Sequence, residues 1–131
     1  MASAREALHM YRECFGTHYD NYPTALTIAG LSLNRLGRPV EAEKLLRDAV
    51  KLRLESLPPG HFFAALAQGA LGEFLLDRGR FAEAETFLVQ SYNDLLLSGG
   101  SENPRTSLAK HRLRDLYLAM KRPKEVVKFQ P

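Results

Sequence analysis

Leu36-Gly37-Arg38-Pro39-Val40-Glu41-Ala42-Glu43 is answered one period later by Arg78-Gly79-Arg80-Phe81-Ala82-Glu83-Ala84-Glu85, with Gly79 in the place of Gly37. A further step of the same length reaches an altered third copy, Lys121-Arg122-Pro123-Lys124-Glu125-Val126. The register closes without a gap. A fixed period of this size marks an array in which each unit buries its apolar face against its neighbours. In the first two copies a glycine stops one helix and a second helix starts two residues later, which predicts an all-α fold of antiparallel helix pairs.

Working outward, apolar residues fall at helical spacing on both sides of each turn. The first complete repeat spans 23–56. Its first helix, 23–36, turns Leu26, Ala29, Gly30, Leu33 and Leu36 inward, and its second turns in Ala42, Leu45, Leu46, Ala49 and Val50. Pro58-Pro59-Gly60 breaks the chain. The next repeat, 62–97, turns in Leu66, Ala67, Leu71, Leu75 and Leu76 from helix 62–78, then Ala84, Phe87, Leu88, Ser91, Tyr92 and Leu95 from 81–97. After Ser98-Gly99-Gly100-Ser101 comes a repeat at 105–131 with Leu108, Leu113, Leu116, Tyr117 and Met120 inward and a short second helix, 123–129.

The first stretch, 4–15, carries Ala4, Ala7, Leu8, Tyr11 and Phe15 on one stripe, and Ala4, Ala7 and Leu8 stand one period before Leu46, Ala49 and Val50. It reads as the second helix of an earlier repeat, so the chain is expected to begin within an array. In the third repeat Lys121 takes the turn position of Gly37 and Gly79, and Arg114 takes that of Gly30 and Gly72. Those changes, with the short last helix, read as a C-terminal cap, because a terminal repeat needs a polar outer face.

Composition narrows the class. The chain has 131 residues, 45% hydrophobic and 25% charged, as ordinary globular proteins do. No apolar run approaches the ~20 residues that span a bilayer, and the start of the chain does not read as a signal peptide. A single cysteine, Cys14, fits a reducing compartment, and the expectation is a cytoplasmic protein. The net charge of +3 is uneven: residues 105–131 hold eight basic and two acidic side chains, and the remainder is net acidic. A solvated terminal face accounts for this excess. Nucleic-acid binding through it is a lesser reading, since no recognised reading motif accompanies Tyr117 and Phe129.

Catalytic and metal patterns are missing. His9, Cys14 and His18 fit no zinc spacing, and His61 and His111 lie far along the chain. Gly99-Gly100-Ser101 lacks the lysine of a phosphate loop, and no Gly-x-Ser-x-Gly elbow occurs. Glu41 and Glu43, like Glu83 and Glu85, are two apart on a helix and point to different sides, so they are repeat features rather than paired acids. The sequence predicts no cofactor, no metal site and no enzyme.

The named positions resemble the tetratricopeptide repeat, whose pattern sets small residues where the two helices cross and at the turn. Gly30, Gly37, Ala42, Leu46 and Ala49 carry the resemblance in one copy, and Gly72, Gly79, Ala84, Leu88 and Ser91 in the next. It implies a right-handed superhelix of about seven helices. The spacing from Gly37 to Gly79 resembles the longer variety of kinesin light chains, as do the worn loops Phe15-Gly16-Thr17-His18-Tyr19 and Leu57-Pro58-Pro59-Gly60-His61. The segment Leu116-Tyr117-Leu118-Ala119-Met120-Lys121-Arg122-Pro123-Lys124-Glu125 resembles the close of arrays at the C-terminus of bacterial Ser/Thr protein kinases and related signalling proteins, although no kinase residues are present.

In this family the first helices line a groove that takes partner proteins or peptides. By that resemblance the groove columns are Thr27, Leu31, Asn34 and Arg35, then Gly69, Glu73, Leu76 and Asp77, then His111, Asp115, Leu118 and Ala119. Glu73, Asp77 and Asp115 with Arg35 suit a peptide of some basic character. The paired asparagines of the kinesin-light-chain type are replaced by Thr27-Ile28, Gly69-Ala70 and His111-Arg112. The expected function is a non-enzymatic scaffold that binds a protein or peptide. Docking within a larger signalling protein, or self-association through the unpaired stripe of 4–15, is the alternative.

Overall fold

The computed structural model describes residues 22–129, and among them every regular element is an α-helix. The expected half repeat at 4–15, with His9, Cys14 and His18, lies outside the described residues. The chain divides into two compact units, Met1–Pro58 and Pro59–Pro131.

In the first unit, α1 (Tyr22–Arg35) and α2 (Pro39–Ser56) form a hairpin. Its antiparallel sense is visible at two levels. Gly30 lies against Leu46 near the turn, and farther out the Arg53 guanidinium donates to Thr24 Oγ1 at 2.9 Å. The core here is Tyr22, Leu26, Leu33, Ala42, Leu46, Ala49 and Val50. Burying one such leucine is worth roughly 1.5–3 kcal/mol.

The second unit repeats the hairpin as α3 (Phe62–Asp77) and α4 (Phe81–Gly99), then adds α5 (Pro104–Ala119) and the short α6 (Pro123–Lys128). Gly72 lies against Leu88, and Ser91 Oγ donates to the Ala65 carbonyl at 2.8 Å. Asn103 caps α5 by accepting from the Arg105 amide at 2.8 Å, and Thr106 Oγ1 ties α5 to the Leu95 carbonyl of α4 at 3.2 Å. An asparagine side chain satisfies one of the orphan amides of a helix start, which is why α5 opens there.

The quoted stretch forms the same turn each time. Arg38 N–H donates to Leu33 O at 2.9 Å and Gly37 N–H to Asn34 O at 3.1 Å. Arg80 with Leu75, and Gly79 with Leu76, reproduce both bonds in the second copy, and Arg122 with Tyr117, and Lys121 with Leu118, in the third. This is the Schellman arrangement, which puts its turn residue in the left-handed region. Gly37 has φ +78°, Gly79 +76°, and Lys121 adopts +58° without being glycine.

Helix bounds fall within two residues of expectation. Two inward assignments are corrected. Leu36 is 72% exposed, because α1 ends at Arg35 and Leu36 belongs to the turn. Leu108 is 39% exposed, because the buried side of α5 is set by Thr106, Ala109, Leu113, Leu116 and Tyr117. Conversely Phe74, Ala64, Ala65 and Ala70 are buried although the helical spacing does not assign them inward, since α3 is covered by both α4 and α5.

Candidate functional site

The second unit sets α5 beside α3 one period further along the chain. In the repeat register His111 matches Gly69, Asp115 matches Glu73, Leu118 matches Leu76 and Ala119 matches Asp77. Asp77, His111, Asp115, Leu118 and Ala119 are exposed or half-buried at the surface, Glu73 and Leu76 are half-buried, and Gly69 is buried.

Gly69 is buried between Ser91 of α4 and Arg112 of α5. A Cβ at Gly69 would stand 2.9 Å from Arg112 Nη1 and 2.8 Å from Ser91 Oγ. From that seat Arg112 Nη2 donates to Glu73 Oε2 at 2.8 Å. Arg112 Nε is buried with no hydrogen-bond partner among the described residues. The repeat register puts Glu73 in a groove column and Arg112 at one of the positions of the paired asparagines, but it does not pair the two. The available signal is a long cation at 112, where the preceding copies have Ile28 and Ala70.

On α1 in the first unit, Thr27, Leu31 and Asn34 are half-buried and Arg35 is exposed. Thr27 Oγ1 donates to the Pro23 carbonyl at 3.0 Å, and the Asn34 carbonyl serves the turn.

The acids around the turns are committed to the fold. Glu41 accepts from Arg38 Nε at 3.0 Å and Glu83 from Arg80 Nε at 3.0 Å. Glu43 accepts from Arg47 Nε at 2.8 Å, and Glu85 from Arg122 Nη1 at 3.1 Å. His61 caps α3, its Nδ1 accepting from the Phe63 amide at 3.1 Å. No group of three His, Cys, Asp or Glu residues that could hold a metal occurs among the described residues.

A second cluster holds α6. The Phe129 ring stacks on Tyr117 at 5.7 Å and meets Tyr92 edge-on at 5.5 Å. Arg122 lies 5.1 Å over the Tyr117 ring while pairing with Glu85 and with Glu125 at 3.7 Å. Burial, then the Glu85 carboxylate that accepts a hydrogen bond from the phenol, pushes the Tyr117 hydroxyl up to about 12. These rings pack α6 against α4 and α5.

Two stretches of the chain match models of one family: residues 24–62 and residues 65–90 each match a tetratricopeptide repeat. With the doubled hairpin and its small crossing residues, this establishes the chain as a tetratricopeptide-repeat protein. Tetratricopeptide repeats are in general non-catalytic protein-interaction modules. No curated protein matches the chain. None of the described helices is long and apolar enough to cross a membrane.

Proposed function

We propose that the chain is a non-enzymatic scaffold that binds a protein or peptide along the exposed sides of α3 and α5 in its second unit. One contrast carries this reading. The acids beside the turns, Glu41, Glu43, Glu83 and Glu85, each have an arginine of their own, whereas Asp115 makes no ion pair among the described residues and stands exposed beside His111. Charge that the fold does not use is charge available to a partner. Asp115 favours a partner with basic side chains, and Leu76 and Leu118 supply apolar surface on the same helices.

The reading places the module in the cytoplasm, consistent with its single cysteine. Charge reversal at Glu73, Asp77 and Asp115 tests it. Partner capture by the 131-residue chain should be lost while the helical circular dichroism spectrum is retained. Capture that survives all three changes rules the groove out.

A further inference from the structure

We infer that Arg112 is a built-in competitor: it occupies the Glu73 carboxylate in the free protein and is displaced from it by a basic side chain of the bound partner. This inference rests on the groove reading above and adds to it which residue sets the charge preference. Four observations converge. Arg112 reaches from α5 back to α3, and its Nη2 meets Glu73 Oε2 at 2.8 Å, the geometry a partner's arginine or lysine would itself adopt. The seat exists because position 69 has no side chain, since a Cβ there would stand 2.9 Å from Nη1. Within the pair the acid is the accessible member: the Glu73 side chain is 40% exposed and that of Arg112 17%. Finally, the guanidinium is poorly satisfied, with Nε buried and unpartnered among the described residues, so leaving the seat regains hydration for that group.

The consequences follow from charge. A cation entering the site gains Glu73 only by releasing Arg112, so the resting pair weakens every basic partner by a common factor. An incoming carboxylate would meet the exposed Glu73 carboxylate beside the guanidinium, and that like-charge repulsion disfavours acidic partners at this seat.

The test uses the full 131-residue chain and two synthetic nonapeptides, one Lys/Arg-rich and one Glu-rich, followed by calorimetry and amide chemical-shift mapping. Arg112→Gln should bind the basic peptide on the order of tenfold more tightly than the wild type, about the worth of one charge-assisted hydrogen bond. Arg112→Lys, which keeps the charge, should stay close to the wild type, and its unchanged melting temperature separates competition from unfolding. Shifts at Gly69–Asp77 with no tightening in Arg112→Gln would overturn the competitor role and leave the groove reading standing. Tighter binding of the acidic peptide by the wild type would also overturn it. Shifts elsewhere, or no binding of either peptide by any variant, would overturn both.

Discussion

Gly72 lies so close to Leu88 that a Cβ on it would stand 2.7 Å from both Cγ and Cδ2 of the leucine. Gly30 and Leu46 repeat the relationship one period earlier, again with 2.7 Å to Cγ. Leu46 and Leu88 are fully buried, so neither can swing away without opening a void. Two helices approach this closely only where one offers no side chain.

Gly72→Ala should therefore destabilise the second unit by about 1–3 kcal/mol through overpacking, although alanine is the better helix former. Leu88→Ala alone should cost about 2–5 kcal/mol. Combined, the two should cost less than their sum, because the truncated leucine makes room for the new methyl. Denaturant titration of the four proteins checks the sign of the coupling, and strict additivity would contradict the contact.

Lys121 offers the opposite change. It holds φ +58° in a turn whose other copies use Gly37 and Gly79. The left-handed region costs a residue with a Cβ roughly 1–2 kcal/mol. Lys121→Gly should stabilise the protein by about 1 kcal/mol, read as a rise in Tm, and Gly79→Ala should destabilise it by a similar amount.

Alkaline pH should loosen the end of the second unit. The Tyr117 hydroxyl is pushed up to about 12 in the fold from an ordinary value near 10.0. Between those values the folded protein keeps a proton that the unfolded chain has lost, so stability falls as pH rises through that window and is unaffected below it. Tyr117→Phe has no proton to lose. The stability difference between wild type and Tyr117→Phe should shrink between pH 10 and 12, measured by urea midpoints at each pH. A difference that stays constant would remove Tyr117 as the cause.

Ser91 donates from a buried hydroxyl to the Ala65 carbonyl at 2.8 Å, where the preceding copy has Ala49. Ser91→Ala should cost about 0.5–1.5 kcal/mol. By contrast Glu83→Ala, which removes one partner of a surface pair one turn long, should cost under about 1 kcal/mol. Hydrogen exchange at α3 amides would register the first change and not the second.

Much of the fold is legible in the order of residues. Period, turn glycines and small crossing residues are local or strictly repeated features, and the helix bounds come with them. Leu36 and Leu108 mislead because helical spacing gives a side chain's direction but not where a helix stops or what covers it. Phe74 and Ala65 escape assignment because α3 is covered from two sides, and a helix buried twice shows no single apolar stripe. In the candidate site, the surface positions of Asp77, His111 and Asp115 follow from counting along the repeat. The cover over Gly69 does not.

By itself, then, the sequence determined the repeat, the hairpin turn that closes each pair and the residues whose smallness lets the helices cross. Each of these acts within a few residues of the chain or recurs at a fixed offset. Only the tertiary structure decided that Glu73 already has a cation. Arg112 and Glu73 lie on different helices 39 residues apart, and their meeting depends on Gly69 leaving an arginine-sized space between them. A pairing set by the absence of a third side chain is a property of three-dimensional packing, and no linear spacing encodes it.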